Sequence, residues 1–216
     1  MKQDWRQIAS ILNTGEVSLY QYNEDGSVIS DPVAKLTGLE EEGFGLSWSP
    51  NKQGLLTAAT GTSICLWDVN SIGGVKGSPF LKIESAHQKV INDVKFSSIN
   101  ENLFGTASDD SNYKIWDLRS AKDTNSFIHC YKASEDDLLV ISFNQFNEHL
   151  FATAGEESGL INIWDLRMAK TSINDLHYHK TPVTQIEWSP SSEYLFMSSA
   201  SDGEIFVWDQ NNCGEE

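Results

Sequence analysis

Four stretches in which apolar and polar residues alternate end in the dipeptide Trp-Asp. The stretches are SICLWD, NYKIWD, INIWD and EIFVWD, and their Trp residues are Trp67, Trp116, Trp164 and Trp208. Successive Trp residues lie 49, 48 and 44 positions apart. Alternation with a period of two is typical of half-buried β-strands. The pattern therefore predicts an all-β chain built from a repeated unit of about 40–50 residues.

Each repeat contains up to four such runs, separated by turn residues such as Asp202-Gly203 and Ser158-Gly159. Four short strands in a unit of this length are typical of one blade of a β-propeller. The predicted blades are residues 1–37, 38–84, 85–130, 131–177 and 178–216, so that residues 1–216 form one partial propeller domain. The first blade lacks its first strand and the last blade lacks its fourth. We therefore predict about four and a half blades of four-stranded antiparallel sheet in an incomplete ring.

An incomplete ring leaves apolar flanks uncovered on its first and last blades. Apolar patches beyond a few hundred Å² tend to recruit a partner or to aggregate. We expect the chain to be a piece of a longer protein. On its own, it is expected to self-associate through the terminal blades or to be unstable.

Composition restricts the class of protein. Hydrophobic residues make up 39% of the chain, but no apolar run reaches the roughly 18 residues of a membrane span, and the start resembles no signal peptide. Cys65, Cys130 and Cys213 are far apart and form no CxxC pair, which favours reduced thiols in the cytosol or nucleus. The sequence shows no phosphate loop, nucleophile elbow or pair of catalytic carboxylates. We expect no enzyme activity, no cofactor, no metal and no membrane contact.

The indole N–H of each buried Trp needs an acceptor, because an unpaired polar group in a packed interior costs on the order of 1–3 kcal/mol. Around these residues the chain resembles the WD-repeat superfamily, in which a His, a Ser or Thr and an Asp join the Trp in a buried hydrogen-bonded set. The resemblance implies two structural sets: His87, Thr106, Asp110 and Trp116, and His179, Ser198, Asp202 and Trp208. The other two WD repeats carry Leu39 and Gly61, and Ser134 and Ser158, at the His and Asp positions, and are expected to satisfy their Trp differently.

Three segments narrow the resemblance: GLEEEGFGLSWSP (residues 38–50), SICLWDV (63–69) and NLFGTASDD (102–110). They resemble the histone-binding WD-repeat subfamily, which includes retinoblastoma-binding proteins and the WD subunits of chromatin assembly factor 1 and of type B histone acetyltransferase. The resemblance implies a non-catalytic scaffold of chromatin complexes, located in the nucleus and also in the cytoplasm. It implies contacts with a histone H3 tail at Glu42, Phe44, Asp109 and Asp110.

The chain departs from the subfamily at other histone contacts. At three loop positions where the subfamily usually has a Glu, an Asn and a Phe, this chain has Asn92, Leu139 and Thr184. These departures predict that the H3 contact is lost or that its preferred sequence is changed. The N-terminal helix and the acidic loop with which the subfamily holds H4 have no counterpart in residues 1–216, so we expect no H4 binding in the subfamily's manner.

Charge indicates the type of partner independently of the resemblance. Asp and Glu outnumber Lys and Arg by 31 to 15, for a formal net charge of −16. In an antiparallel blade, the loop before the first strand and the turn between the second and third emerge on the same face. This face is predicted to hold Glu40, Glu41, Glu42, Asp109, Asp110, Glu135, Asp136, Asp137, Glu156, Glu157 and Asp202, and the opposite face Lys52, Lys76, Arg119, Lys122, Arg167 and Lys170.

An acidic face attracts basic ligands and repels nucleic acid. The predicted partners are histones H3 and H4 or other basic peptides, together with subunits of a chromatin complex, without direct nucleic-acid binding. The residues predicted to bind histone are Glu40, Glu41, Glu42, Phe44, Asp109, Asp110, Asp136 and Asp137.

Two alternatives belong to other classes. The segments KIWDLR and NIWDLR, which end at Arg119 and Arg167, resemble the WDxR box by which some WD-repeat proteins dock on the adaptor of cullin-4 ubiquitin ligases. That resemblance implies a substrate receptor. The second alternative is a generic interaction scaffold that has kept the histone likeness without using it.

Overall fold

The structure, a computed structural model, describes residues 7–22, 27, 31–156 and 159–212. Glu157, Ser158 and Cys213, which the sequence analysis named, lie outside these residues. The strands are β1 (Gln7–Ile11), β2 (Val17–Gln21), β3 (Ala34–Leu36), β4 (Gly45–Trp48), β5 (Leu55–Thr60), β6 (Ser63–Asp68), β7 (Lys76–Gly77), β8 (Leu81–Ile83), β9 (Ile91–Phe96), β10 (Leu103–Ser108), β11 (Asn112–Asp117), β12 (Phe127–Lys132), β13 (Leu138–Phe143), β14 (Leu150–Gly155), β15 (Leu160–Asp165), β16 (Asn174–His177), β17 (Val183–Trp188), β18 (Leu195–Ala200) and β19 (Ile205–Asp209).

These strands form five sheets that follow one another along the chain. The sheets are β1-β2-β3-β7, β4-β5-β6-β8, β9-β10-β11-β12, β13-β14-β15-β16 and β17-β18-β19. They do not close into a ring, which confirms the predicted all-β, partial WD-repeat propeller. Short 3-10 helices at Val69–Ser71 and Leu166–Met168 follow two of the Trp-Asp strands. Among the described residues, no helix is long and apolar enough to cross a membrane.

The hydrophobic core lies between the sheets. Each of four clusters of buried side chains takes its members from two consecutive sheets; one, for example, joins Leu66 and Ile83 of the second sheet to Ile91 and Val94 of the third. A sheet therefore buries side chains on both of its faces only if it has a neighbouring sheet on each side. This is why the strands inside the series are buried along most of their length.

The same aromatic pair recurs in three sheets. An aromatic ring on the second strand stacks on the Trp of the third strand, with ring centroids about 6 Å apart. The pairs are Phe104 with Trp116 at 6.0 Å, Phe151 with Trp164 at 6.2 Å, and Phe196 with Trp208 at 5.9 Å. The spacings of 48 and 44 residues between these three Trp residues are therefore the spacings of one repeated packing unit.

Strand β7 is a contact that the alternation pattern did not predict. The connection from β6 to β8 leaves the second sheet and pairs in parallel with β3 of the first sheet. Lys35 N donates to Val75 O at 2.9 Å, and Thr37 N donates to Gly77 O at 2.8 Å. A Cβ on Gly77 would lie 2.4 Å from Ile72 Cδ1, so glycine permits this close approach. The segment ties the first two blades together at their outer edges.

The last sheet has an uncovered flank. Met197, Ile205 and Val207 project from the side that faces away from the fourth sheet, with exposures of 50%, 66% and 73%. The prediction of self-association through terminal blades depends on this surface and stays a prediction.

Candidate functional site

Loops of neighbouring blades meet on one face of the molecule. We call this the acidic face; it is formed by residues 12–16, 38–44, 60–62, 85–90, 108–112, 133–137 and 200–204. The turn at Gly15 abuts the backbone of Glu41, because a Cβ on Gly15 would lie 2.5 Å from Glu41 O. Farther along, Lys89 Nζ lies 3.4 Å from Asp137 Oδ1. The contacts join the predicted loops of adjacent blades into one surface.

The acidic side chains of this face differ in how far they are engaged. Glu40, Glu41 and Glu42 are exposed on the loop that enters β4. Asp109 Oδ1 accepts from Asn92 Nδ2 at 2.5 Å, and Asp137 is paired with Lys89. The three glutamates are therefore the most accessible negative charges among the predicted histone-binding residues. Asp136 is half-buried in the next loop, where its backbone N–H donates to Ser134 Oγ at 3.0 Å.

Asp110 is held inside the third blade. His87 Nδ1 lies 3.1 and 3.0 Å from its two carboxylate oxygens, and the N–H of Gln88 donates to Oδ2 at 2.9 Å. Burial favours the protonated acid, but these hydrogen bonds outweigh burial and hold the pKa of Asp110 well below its ordinary value. The carboxylate stabilises the blade, and only a small part of it is accessible to a ligand.

The rest of this set is a continuous chain of hydrogen bonds. Thr106 Oγ1 lies 2.8 Å from His87 Nε2 and accepts the indole N–H of Trp116 at 3.1 Å. Since Asp110 accepts from Nδ1, the neutral ring carries its proton there and Nε2 accepts from the Thr106 hydroxyl. Each of the N–H and O–H donors in this series of hydrogen bonds, from Trp116 to Asp110, then has an acceptor.

The fifth blade completes only part of the corresponding set. His179 Nε2 lies 2.7 Å from Ser198 Oγ, which accepts the Trp208 indole N–H at 2.8 Å. Asp202, however, is exposed and accepts from its own turn, at Glu204 N, at 2.9 Å. Nδ1 of His179 is buried without a hydrogen-bond partner among the described residues. The structure therefore shows no hydrogen bond from Asp202 to His179, because the local turn satisfies the Asp202 carboxylate.

The two repeats that lack the His and the Asp satisfy their Trp by different acceptors. Trp164 donates to Thr153 Oγ1 at 2.9 Å, so the second-strand hydroxyl suffices there. Trp67 donates to the backbone carbonyl of Thr37 at 3.1 Å. A backbone acceptor carries no sequence signature, and the sequence analysis could not name it.

The three departures from the subfamily pattern gather with Phe44 around a cavity of about 360 Å³. Its lining comes from the first strands of four sheets: Phe44, Leu46, Asn92, Asp93, Lys95, Leu139, Thr184 and Gln185. Phe44 is 63% exposed at its edge. Asn92 Nδ2 also donates to Leu138 O at 2.8 Å, so both of its amide hydrogens are taken by the protein. The cavity thus presents apolar and neutral polar groups at these positions.

Sequence reasoning missed Asp93 and Lys95 in this cavity. Burial raises the pKa of the Asp93 carboxyl, while Lys95 Nζ at 3.7 Å and the N–H of Ile141 at 3.2 Å favour its ionised form. The Ile141 contact crosses from the third sheet to the fourth. The one signal that the sequence offered for them is that Asp93 and Lys95 lie on the same strand, β9, as Asn92.

The opposite face is mixed rather than basic. Asp68, Asp117, Asp165 and Asp209 end the third strands there, among the predicted cations. Arg119 Nε and Nη2 bind Asp117 at 2.9 and 2.5 Å, and Arg167 binds Asp165 with the same distances. Both guanidinium groups of the WDxR segments are thus engaged by the carboxylate two residues before them.

Comparison with known proteins adds independent information. Residues 2–216 match the family model described as nucleolar protein 10-like, N-terminal domain, a β-propeller. The chain is 31% identical over 225 residues to histone acetyltransferase type B subunit 2 of Debaryomyces hansenii, covering 100% of this chain and 52% of that protein. It is 32% identical over 218 residues to the protein of the same name in Candida glabrata, covering 100% and 50%.

A plant relative is similar over a shorter stretch. WD-40 repeat-containing protein MSI3 of Arabidopsis thaliana is 40% identical over 138 residues, which are 63% of this chain and 31% of that protein. The chain spans about half the length of the two yeast relatives.

Proposed function

Since this chain belongs to the β-propeller family described as nucleolar protein 10-like, N-terminal domain, we propose that it is a WD-repeat scaffold that binds histones. It is a WD-repeat protein of the retinoblastoma-binding type, as its motifs and its relatives agree. Two of those relatives are named as subunits of a type B histone acetyltransferase. By this proposal the chain has no catalytic role, belongs to a chromatin complex and acts in the nucleus.

The acidic face carries the proposal. Glu40, Glu41 and Glu42 are exposed, unlike Asp110, and stand beside the exposed ring of Phe44. A basic peptide finds there both negative charge and an apolar surface for the stem of a Lys or Arg side chain. The net charge of −16 adds long-range attraction for histones and repulsion of DNA.

The cavity of about 360 Å³ beside Phe44 affects how an H3 tail would be held. Asn92 brings no negative charge, and its amide is already bonded to Asp109 and Leu138. Among the described residues of the lining, the carboxylate is that of Asp93, which is buried and lies 3.7 Å from Lys95 Nζ. We propose that the basic side chains of the peptide bind at the exposed carboxylates of Glu40, Glu41 and Glu42 beside Phe44, and that the cavity accepts an uncharged residue.

The test is binding of fluorescent H3 and H4 N-terminal peptides to the 216-residue chain, measured by anisotropy at about 0.05 M and about 0.5 M salt. Screening lengths differ severalfold between these conditions, so a contact with the acidic face weakens at the higher one. Light scattering on the same samples excludes aggregates, and circular dichroism identifies folded protein. If the folded chain binds neither peptide at low salt, the proposal is contradicted.

A further inference from the structure

A second cavity, of about 620 Å³, lies on the face opposite the acidic loops. It is a half-open depression lined by the turn between β4 and β5, by the segment from Asp68 to Phe80 and by Leu118, which follows β11. Its apolar lining comes from Leu55, Ile72, Phe80 and Leu118. Cavities that bind ligands commonly measure about 300–1,000 Å³. Neither the histone proposal nor the WDxR alternative uses it.

The walls of this cavity are fixed by close backbone contacts. Asn70 Nδ2 donates to Gln53 O at 2.8 Å, and the amide packs over Gly54, where a Cβ would lie 2.2 Å from that nitrogen. On the other side, Gly77 allows Ile72 to pack against the first blade, where β7 pairs with β3. The shape of the cavity is therefore fixed by the packing at Gly54 and Gly77 and by the pairing of β7 with β3, as well as by surface side chains.

The charges that line the cavity differ from those of the chain as a whole. Acids outnumber bases by 31 to 15 in the sequence, but the described residues of the lining include two bases, Lys52 and Lys76, and one acid, Asp68. Both oxygens of Asp68 already accept hydrogen bonds, from Asn70 N at 3.0 Å and from Ser71 Oγ at 2.6 Å. Lys52 Nζ donates to Asn102 Oδ1 at 2.6 Å and has two further N–H groups. Lys76 is exposed and has no ion-pair partner among the described residues.

We propose that this cavity binds an acidic protein segment, which inserts an apolar side chain against Phe80 and pairs its carboxylates with Lys52 and Lys76. Phe80 is 60% exposed, so the anchor would cover an aromatic ring that water now contacts. A duplex nucleic acid fits the site less well, because its stacked bases offer no apolar side chain to Phe80 and its phosphates extend far beyond the two lysines along a molecule of charge −16. The partner is therefore a protein of the opposite charge type from a histone.

This inference does not depend on the histone proposal. If both hold, the chain joins a basic partner on the acidic face to an acidic partner on the other. Binding of one class of peptide and not the other would separate the two proposals.

The probe is a fluorescein-labelled decapeptide with a central Leu-Phe pair flanked by four Asp or Glu residues on each side. The comparison peptides replace Leu-Phe by Gly-Gly, or the acids by Lys. We expect saturable binding of the first peptide to the folded chain, weakened by salt, and no binding of the Lys peptide at this cavity.

Two pairs of variants locate the contact. Lys52→Gln with Lys76→Gln is compared with Lys122→Gln with Lys170→Gln, which removes the same charge from the same face outside the cavity. Phe80→Ser is compared with Phe146→Ser, another exposed ring on that face. The cavity variants should each weaken binding about tenfold, which corresponds to about 1.4 kcal/mol, and the matched variants less than about twofold.

Several results would overturn the proposal. They are no saturable binding by a chain whose circular dichroism is native, equal binding of the Gly-Gly peptide, equal losses in matched variants, or tighter binding of a duplex DNA of the same charge. Thermal melts of all variants distinguish a lost contact from a lost fold.

Discussion

His87 Nδ1 and Asp110 Oδ2 lie 3.0 Å apart in the third blade, and both side chains are almost fully buried. The pair fixes the tautomer of His87 and, through it, the direction of the hydrogen bonds to Thr106 and Trp116. In the fifth blade the matching Asp202 is outside the set, and His179 Nδ1 has no partner among the described residues. Two motifs that are alike in sequence thus differ in how much the aspartate stabilises the fold.

The first prediction compares these two aspartates. Asp110→Ala should lower the free energy of unfolding by about 3 kcal/mol, because it leaves the buried N–H of His87 Nδ1 without an acceptor and removes the acceptor of two backbone N–H groups, of Gln88 and Asn112. Asp202→Ala should leave the urea midpoint almost unchanged, since its carboxylate is exposed. Urea unfolding followed by Trp fluorescence measures both. Equal losses would show that Asp202 reaches His179 in solution.

The second prediction concerns pH. Burial lowers the pKa of His87 and of His179, despite the nearby acids that favour protonation, while Lys114 lowers that of His87 further. The unfolded chain takes up protons as the pH falls below about 6.5, whereas the folded chain keeps both rings neutral to lower pH. Stability should therefore fall between about pH 7 and pH 5.

Asp110 adds a loss at still lower pH. Its folded pKa is depressed, so its contribution is complete above the unfolded value of about 4 and disappears as the pH falls further. His87→Gln should flatten the pH dependence of the urea midpoint between about pH 7 and pH 5 relative to the unmutated chain. A wild-type midpoint that rises on acidification contradicts this prediction.

The sequence predicted the strands well because burial on alternating positions decides where a propeller strand lies. The alternating stretches SICLWD and NYKIWD, for example, coincide with β6 (Ser63–Asp68) and β11 (Asn112–Asp117). The pairing of β7 was missed because Lys76-Gly77 is too short for any periodicity, and its place depends on the room that Gly77 leaves beside Ile72. Pattern identifies long alternating strands and gives little information about two-residue ones.

The candidate site was predictable as a face and not as a set of contacts. Loop order alone places Glu42 and Asp109 on one surface, since successive strands reverse direction. Whether a carboxylate is free depends on partners that are distant in sequence, as when Asn92 holds Asp109 and Lys89 holds Asp137. Such partners follow from the register between sheets, which one sequence does not reveal.

The third prediction concerns the WDxR segments. Arg119→Ala and Arg167→Ala should leave the thermal midpoint almost unchanged, because exposed ion pairs contribute little. If the chain docks on a ubiquitin-ligase adaptor, the double variant should lose that binding and keep histone binding. A pull-down with purified adaptor and with core histones measures the two separately. An adaptor that binds both forms equally excludes docking through these residues.

The fourth prediction separates the apolar part of histone recognition from the fold. Phe44→Ala should lower the affinity for an H3 peptide about tenfold, as expected for an aromatic anchor. Its stability should change little, because the ring is mostly exposed. Phe146→Ala removes a comparably exposed ring from the opposite face and serves as the control. Peptide titration and a thermal melt are run on each variant. A Phe44→Ala protein that melts early would show that the ring supports the fold.

The fifth prediction concerns the charge of the acidic face. Replacing Glu40, Glu41 and Glu42 together by Lys should weaken a basic histone peptide and remove much of the salt dependence of its binding, because the remaining acids of the face are largely engaged.

The matched control carries the same three reversals on the opposite face, at Glu101, Glu148 and Glu193. Both variants change the net charge from −16 by the same amount, so attraction by the whole molecule falls equally in the two. Any difference between them measures the contribution of position. Equal weakening would reduce the histone proposal to a general effect of net charge, and unchanged binding in both variants would exclude the acidic face as the binding surface.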